Sequence, residues 1–203
     1  MAKCSERQLL KNNEFYDQEI SDIELKQSSL SDKVFESCQF KNCNFSESDW
    51  TACRFIECDF MNCNMSAIKI NRCSFSDTTF QSCKLIGINW TQAQWPQIKL
   101  SSPVKFYDSN LSHSSFYHLD LKEMILEQCK VTDTDFREGD FSESSFMGSD
   151  FEQSLFLHSN LYATDFREAI NYFINPAENN IRKAKFSMPD AMNLLLGFEI
   201  EVE

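Results

Sequence analysis

An apolar residue recurs at every fifth position over most of this 203-residue chain. Beginning at Phe15, eighteen consecutive fifth positions up to Leu100 are apolar, and after a slip of one residue across 101–105 thirteen more follow from Phe106 to Phe166. A helix repeats every 3.6 residues and a strand every two, so a period of five fits neither. The chain therefore predicts a repeat architecture built from five-residue units, each centred on one inward-pointing apolar residue.

A second feature keeps the same phase. The residue just before a centre is often Asp or Asn, and the residue two before it is usually small; cysteine fills that slot at Cys38, Cys43, Cys53, Cys58, Cys63, Cys73, Cys83 and Cys129, and Ser or Thr fills it at Ser144, Ser149, Ser154, Ser159 and Thr164. This unit resembles the pentapeptide repeat family over about residues 13–168. The resemblance implies an all-β solenoid, a right-handed quadrilateral β-helix in which four pentapeptides make one square coil.

A coil of twenty residues places residues twenty apart above one another. If the slip at 101–105 keeps the order of the faces, one column holds Phe15, Phe35, Phe55, Phe75, Trp95, Phe116, Phe136 and Phe156, and a second holds Ile20, Phe40, Phe60, Phe80, Leu100, Leu121, Phe141 and Leu161. We expect about eight coils, which at ~4.8 Å per strand give a rod of roughly 37 Å. A one-residue excess can kink this rod but is too short to form a projecting loop.

The pattern divides the chain into an N-terminal cap (1–12), the β-helix (13–168) and a C-terminal segment (169–203). Residues 187–190 are typical of a helix start, with Ser187 or Met188 as the cap and Pro189 in the first turn, and Gly197 is a helix-stop signal. Residues 198–203 alternate between apolar and acidic residues, as in a short strand. This segment either caps the open end or forms a homodimer, since closed dimers are the commonest oligomers. The predicted dimer interface comprises Met192, Leu194, Leu195, Leu196, Phe198, Ile200 and Val202.

Nine cysteines and three histidines suggest metal or redox chemistry, but their positions within the five-residue repeat favour packing for the cysteines and solvent exposure for the histidines. Eight of the nine cysteines occupy the small inward slot, and buried cysteine behaves as a small hydrophobe. Cys4 lies outside the repeat and is expected to be an exposed thiol. His113, His118 and His158 fall two residues after a centre and should point outward. We therefore expect no metal and no cofactor.

Enzyme motifs are missing as well: the sequence contains no Gly-rich phosphate loop, GxSxG or HExxH. We expect a protein without enzymatic activity. No apolar run reaches the length of a membrane span, and the first residues lack the apolar core of a secretory signal. The expected location is the cytoplasm, without membrane contact.

Charge is uneven along the chain, whose net charge is −12. Residues 120–168 include twelve acidic and four basic residues, whereas residues 61–107 include one acidic and five basic residues. A belt of negative charge would attract a basic DNA-binding groove in a salt-dependent way, rather than nucleic acid itself. The predicted partner-binding surface comprises Asp120, Asp133, Asp135, Glu138, Asp140, Glu143, Asp150, Glu152, Asp165 and Glu168.

The tail from Ile174 (INPAENNIRKAKF) resembles the end of McbG-type microcin-immunity proteins, and the whole chain is similar to the group of McbG, MfpA and Qnr. That resemblance implies a rod-like dimer that mimics DNA, binds DNA gyrase or topoisomerase IV, and protects it from quinolones or peptide toxins. The chain departs from the Qnr pattern in lacking long loops. The alternative interpretation is a scaffold that binds an unrelated protein.

Overall fold

The computed structural model describes residues 2–95 and 102–198 of the chain. Four parallel ladders of short strands and bridges run along one rod of about nine turns. The predicted quadrilateral β-helix is confirmed. The count agrees roughly with the predicted eight, and backbone pairing extends beyond the predicted repeat at both ends, from Ala2 to Phe186.

Each ladder forms one face, and we number the faces in chain order. Face 1 contains β2 (Glu14–Tyr16), β5 (Val34–Glu36), β8 (Arg54–Ile56) and β11 (Ser74–Ser76). Face 2 contains β1 (Ala2–Cys4), β3 (Gln18–Ser21), β6 (Gln39–Lys41), β9 (Asp59–Met61), β12 (Thr78–Gln81), β13 (Val104–Tyr107) and β14 (Ile125–Glu127), and farther along β15 (Asp165–Phe166) and β16 (Lys185–Phe186).

Face 3 consists of isolated bridges that join Glu24, Asn44, Asn64, Lys84, Asn110, Lys130, Asp150 and Ile170 in turn. Face 4 contains β4 (Ser29–Ser31), β7 (Asp49–Thr51), β10 (Lys69–Asn71) and a 3₁₀ helix, η1 (Trp90–Gln92), and continues as bridges through Ser115, Asp135 and Leu155. Because the faces follow one another around each coil, face 4 lies between faces 3 and 1 and opposite face 2.

Backbone hydrogen bonds between coils explain why the strands are so short. Asn64 N–H donates to the Cys43 carbonyl (2.9 Å), and Phe45 N–H donates to the Asn64 carbonyl (2.8 Å). The chain then turns a corner at the second residue after the centre, where non-glycine residues adopt left-handed φ values between 48° and 63°. This conformation is uncommon for such residues. It persists because the corner N–H, as at Ala52, bonds to the next coil (2.9 Å to the Asn71 carbonyl).

The core is a set of stacked rings inside the rod. Phe55 lies between Phe35 and Phe75, with centroids 5.2 Å apart on both sides and nearly parallel planes. Centres from Phe15 to Trp90 and from Phe106 to Phe166 are buried. Rings twenty residues apart are therefore vertical neighbours, as the period predicts.

The predicted columns are wrong beyond Trp95. Phe80 pairs with Phe106, twenty-six residues later, rather than with Leu100. Phe116 accordingly stacks on Trp90 of face 4 (5.7 Å), not in the column of Phe15. Phe136 and Phe156 continue the Trp90 column, while Leu121, Phe141 and Leu161 follow on face 1. One coil therefore holds six residues more than the others, and 96–101 lie outside the described residues.

The N-terminal segment closes the first coil. Helix α1 (Glu6–Lys11) begins with a capping box between Ser5 and Gln8, and it buries Leu9 completely. Strand β1 pairs with β3, which buries Cys4 against face 2. The expectation that Cys4 is exposed is therefore wrong.

Beyond residue 168 the chain completes a last coil, pairing Phe166 with Phe186, and then forms a 3₁₀ helix, η2 (Asp190–Phe198). Ser187 does not cap this helix, since its hydroxyl accepts the Glu168 N–H (3.1 Å). Gly197 lies inside the helix instead of ending it. The strand predicted over 198–203 falls almost entirely outside the described residues.

All nine cysteines are buried free thiols, in agreement with the packing role predicted for the eight in the repeat. Burial raises the pKa of Cys58 and of Cys129 to about 12. Within the described ranges, no cluster of His, Cys, Asp and Glu is arranged to hold a metal ion. The helices in those ranges are also too short to cross a membrane.

Candidate partner-binding surface

The ten predicted carboxylates surround the second half of the rod, and we call them the acidic girdle. Their registers place Asp120, Asp140 and Glu143 on face 1, Asp165 and Glu168 on face 2, Asp133, Asp150 and Glu152 on face 3, and Asp135 and Glu138 on face 4. The structure therefore does not gather them into one patch. Instead it spreads negative charge around the whole circumference.

Two members of the girdle are bound tightly to arginines two residues later. The Arg137 Nη2 lies 2.8 Å from Asp135 Oδ2, and the Arg167 Nη2 lies 2.7 Å from Asp165 Oδ2. Burial alone would raise the pKa of Asp135, but hydrogen bonds from Arg137 lower it below its usual range. Hydrogen bonds from Arg167 likewise hold the pKa of Asp165 low, against the opposing effect of burial. These carboxylates stay ionised, yet their charge is largely neutralised in place.

Other members have weaker, more exposed partners. Lys122 Nζ lies 3.5 Å from Asp140 Oδ2, and His113 Nδ1 lies 3.0 Å from Asp133 Oδ2. Exposed ion pairs of this kind are weak and are screened by salt. Glu143 and Glu168 project from left-handed corners and are exposed. The strongest field is thus expected along the corners rather than at the centre of each face.

The C-terminal end presents apolar side chains, as the predicted dimer interface requires. Met192, Leu196 and Phe198 are exposed, the last two by 58 % and 52 % of their surface. Leu194 packs against the core and so serves the cap, and Leu195 is half-buried. Ile200 and Val202 lie outside the described residues. One short helix therefore combines a capping side with an apolar outer side.

Sequence reasoning missed a group of exposed apolar side chains on the coils themselves. Tyr117, Leu155 and Phe173 are exposed by 40 %, 46 % and 57 %, and all three belong to face 4. A signal was present, because Leu155 occupies the outward slot before a centre that usually holds Asp or Asn. Large apolar residues at outward positions are candidates for a contact surface.

A family model described as "Pentapeptide repeat region" matches residues 33–102 and 91–166. The chain has no match among curated proteins.

Two solved structures are similar over nearly the whole rod. Both are trypsin-treated variants of QnrB1, a plasmid-mediated fluoroquinolone resistance protein. One is 16 % identical with a TM-score of 0.66, covering 93 % of this chain and 100 % of its own. The other is 18 % identical with a TM-score of 0.51, covering 100 % and 96 %. At these identities the likeness establishes the fold.

Proposed function

This chain belongs to the pentapeptide repeat family, and from that premise we propose that it is a non-enzymatic, DNA-mimicking ligand of DNA gyrase or topoisomerase IV. In the cytoplasm, this protein would bind the topoisomerase and protect the enzyme from quinolones or peptide toxins, or inhibit the enzyme as those compounds do. The observation that carries this proposal is the acidic girdle on a rigid rod, in a chain with net charge −12.

Physical reasoning supports a charged partner of opposite sign. A rod of about nine turns at ~4.8 Å per coil is roughly 43 Å long, and its second half carries carboxylates on every face. Such a surface raises the rate of association with a partner whose basic groove binds the DNA backbone, and salt weakens this attraction. The described faces are walls of short strands and isolated bridges, which suits binding rather than catalysis.

A dimer would extend the same charge distribution. The girdle adjoins the C-terminal end, where Met192, Leu196 and Phe198 expose apolar surface. Joining two copies through these ends would place the two girdles next to each other in one central belt. We propose this twofold homodimer as the binding form.

The test is a supercoiling assay with purified gyrase, and a relaxation assay with topoisomerase IV, with and without a quinolone. We expect inhibition or protection at micromolar protein, and co-elution with the enzyme at low salt. A variant with Asp120, Asp140, Glu143 and Glu152 changed to Asn or Gln should lose most of this effect. The matched control neutralises four carboxylates of the first coils, namely Glu14, Asp17, Glu36 and Glu57.

Three results would reject parts of the proposal. Neither inhibition nor protection, together with no co-elution at low salt, would reject topoisomerase binding, and recovery of an unrelated protein in a pull-down would favour the scaffold function. Equal losses in the two neutralised variants would reject the girdle as the binding surface. A Leu196→Asp variant that remains dimeric by light scattering would reject the C-terminal interface.

A further inference from the structure

The four faces of the second half are not equivalent, although all of them carry acids. On face 4 the outward slot passes from Ser115 through Asp135 to Leu155, and the pairing of Phe156 with Ile174 brings Phe173 next in line. Outside face 4, the large apolar side chains of the described coils that are at least as exposed as Tyr117 are Tyr16 on face 1 and Ile170 on face 3. Face 4 therefore concentrates the exposed apolar surface of the second half.

The charged groups of face 4 bind one another. Arg137 donates from Nε to Asp135 Oδ1 (2.9 Å) and from Nη2 to Asp135 Oδ2 (2.8 Å). Its guanidinium lies over the Tyr117 ring, 5.8 Å from the centroid. His118 Nδ1 lies 3.7 Å from Glu138 Oε2. The arginine is thus held against Asp135 and offsets its charge, so that Glu138 at the adjoining corner is left as the remaining acid of these two coils.

The two neighbouring faces are different. Up to residue 168, face 3 carries Asp133, Asp150 and Glu152 against Lys130, and face 1 carries Asp120, Glu123, Asp140 and Glu143 against Lys122. An apolar strip with a bound arginine therefore runs between two borders in which acids outnumber bases. Buried contact energy in protein interfaces is concentrated in aromatic residues and arginine, surrounded by groups that exclude water. Charged borders contribute mainly to association rate and specificity.

We propose that the strip of Tyr117, Arg137, Leu155 and Phe173 on face 4 is the side of the rod that docks onto the topoisomerase. Its complement is a protein surface with an apolar centre flanked on both sides by Lys or Arg. This inference rests on the proposed function and specifies which side of the rod contacts the enzyme. The girdle attracts the enzyme from any side, and the strip determines which side stays bound.

The experiment compares two double variants that remove the same chemistry from opposite faces. Tyr117→Ser with Leu155→Ser removes the centre of the strip, and Tyr107→Ser with Met147→Ser removes a tyrosine and a methionine, both half-buried, from face 2. Binding to purified gyrase and to topoisomerase IV is measured by surface plasmon resonance at two salt concentrations. Circular dichroism and light scattering verify folding and oligomeric state.

We expect the face 4 variant to bind about tenfold more weakly or worse, because loss of one hot-spot contact costs at least that much. Its salt dependence should be unchanged, since no charge is removed, and the face 2 variant should bind within about twofold of the unmodified protein.

Equal affinity of the two variants would overturn the inference and leave the proposed function intact. A change in oligomeric state confined to the face 4 variant would also overturn it, since the strip would then be a contact between copies. If the unmodified protein binds neither topoisomerase, the proposed function fails, and this inference fails with it.

Discussion

The two halves of the rod reach one geometry with different inward chemistry. In the first half, up to Trp95, the small inward slot is dominated by cysteine, and three of the four faces form regular strands. In the second half, from Val104 on, the slot is mostly serine or threonine, and most pairings are isolated bridges. The ring columns are shared by both halves.

Two equivalent positions on face 3 show what the difference means. Cys83 Sγ accepts the Cys63 N–H at 3.4 Å and donates to the Phe60 carbonyl at 3.4 Å. Ser149 Oγ accepts the Cys129 N–H at 3.0 Å and donates to the Leu126 carbonyl at 2.9 Å. A thiol is a weak donor and acceptor, whereas a hydroxyl makes full hydrogen bonds. The first half thus relies on packing, and the second adds buried hydrogen bonds between coils.

The largest expected effect on stability comes from the stacked aromatic rings, which both halves share. Replacing Phe55 in the first half or Phe136 in the second with alanine removes a ring stacked on both sides, so each should lower the free energy of unfolding by about 3–5 kcal/mol. Urea denaturation followed by circular dichroism measures both. A cost confined to one half would show that the columns are not equivalent.

The next effect should separate the halves. Ser149→Ala leaves the buried Cys129 N–H without its acceptor, which costs about 1–3 kcal/mol. Cys83→Ala, its matched control, should cost less, because the sulfur contacts are weaker. Denaturation of both variants under the same conditions checks the order. If Cys83→Ala proves the more damaging, hydrogen bonding is not what distinguishes the second half.

The smallest effect is a difference in acid sensitivity. In the second half the pKa values of Asp135, Asp140 and Asp165 are lowered, and in the first half that of Glu19 is lowered by Lys41. A carboxyl with a lowered pKa in the folded state stabilises the protein above its unfolded pKa of about 4. That contribution is lost as the pH falls through the folded value.

Asp165→Asn should therefore lower stability at pH 7 and reduce the loss of stability between pH 7 and pH 3. Glu19→Gln, whose carboxyl is more exposed, should change that loss less. Thermal denaturation at the two pH values measures both. A greater effect of Glu19→Gln would contradict the assignment of acid sensitivity to the second half.

Much of the fold follows from the sequence because the side-chain period is strict. The inward centres and the buried cysteines of the repeat are read directly from their phase. The columns beyond Trp95 could not be predicted in this way. An insertion of one residue and an insertion of six leave the five-residue pattern in the same phase, so the pattern does not show which face each later residue occupies. The pairing of Phe80 with Phe106 resolves this, since it depends on contact between coils.

The candidate surface was less predictable for the same reason. Its acidic residues could be named, but their faces depend on the register after the long coil. Cys4 lies sixteen residues before Ile20, so the repeat does not reach it, and its burial depends on how β1 adds to the sheet. The strip on face 4 is a product of register too, since Phe156 pairs with Ile174 eighteen residues later, which brings Phe173 into line with Leu155, while the neighbouring faces keep a step of twenty.

The twenty-residue coil also determines how such a molecule can change length. Gaining or losing a whole coil would shift everything beyond it by ~4.8 Å along the axis and keep each surface feature on the same face. Gaining or losing a single pentapeptide would instead turn everything beyond it by a quarter of a revolution, carrying each surface feature to the adjacent side. Duplication of gene segments in multiples of sixty nucleotides would therefore preserve alignment along the rod, and other multiples of fifteen would not.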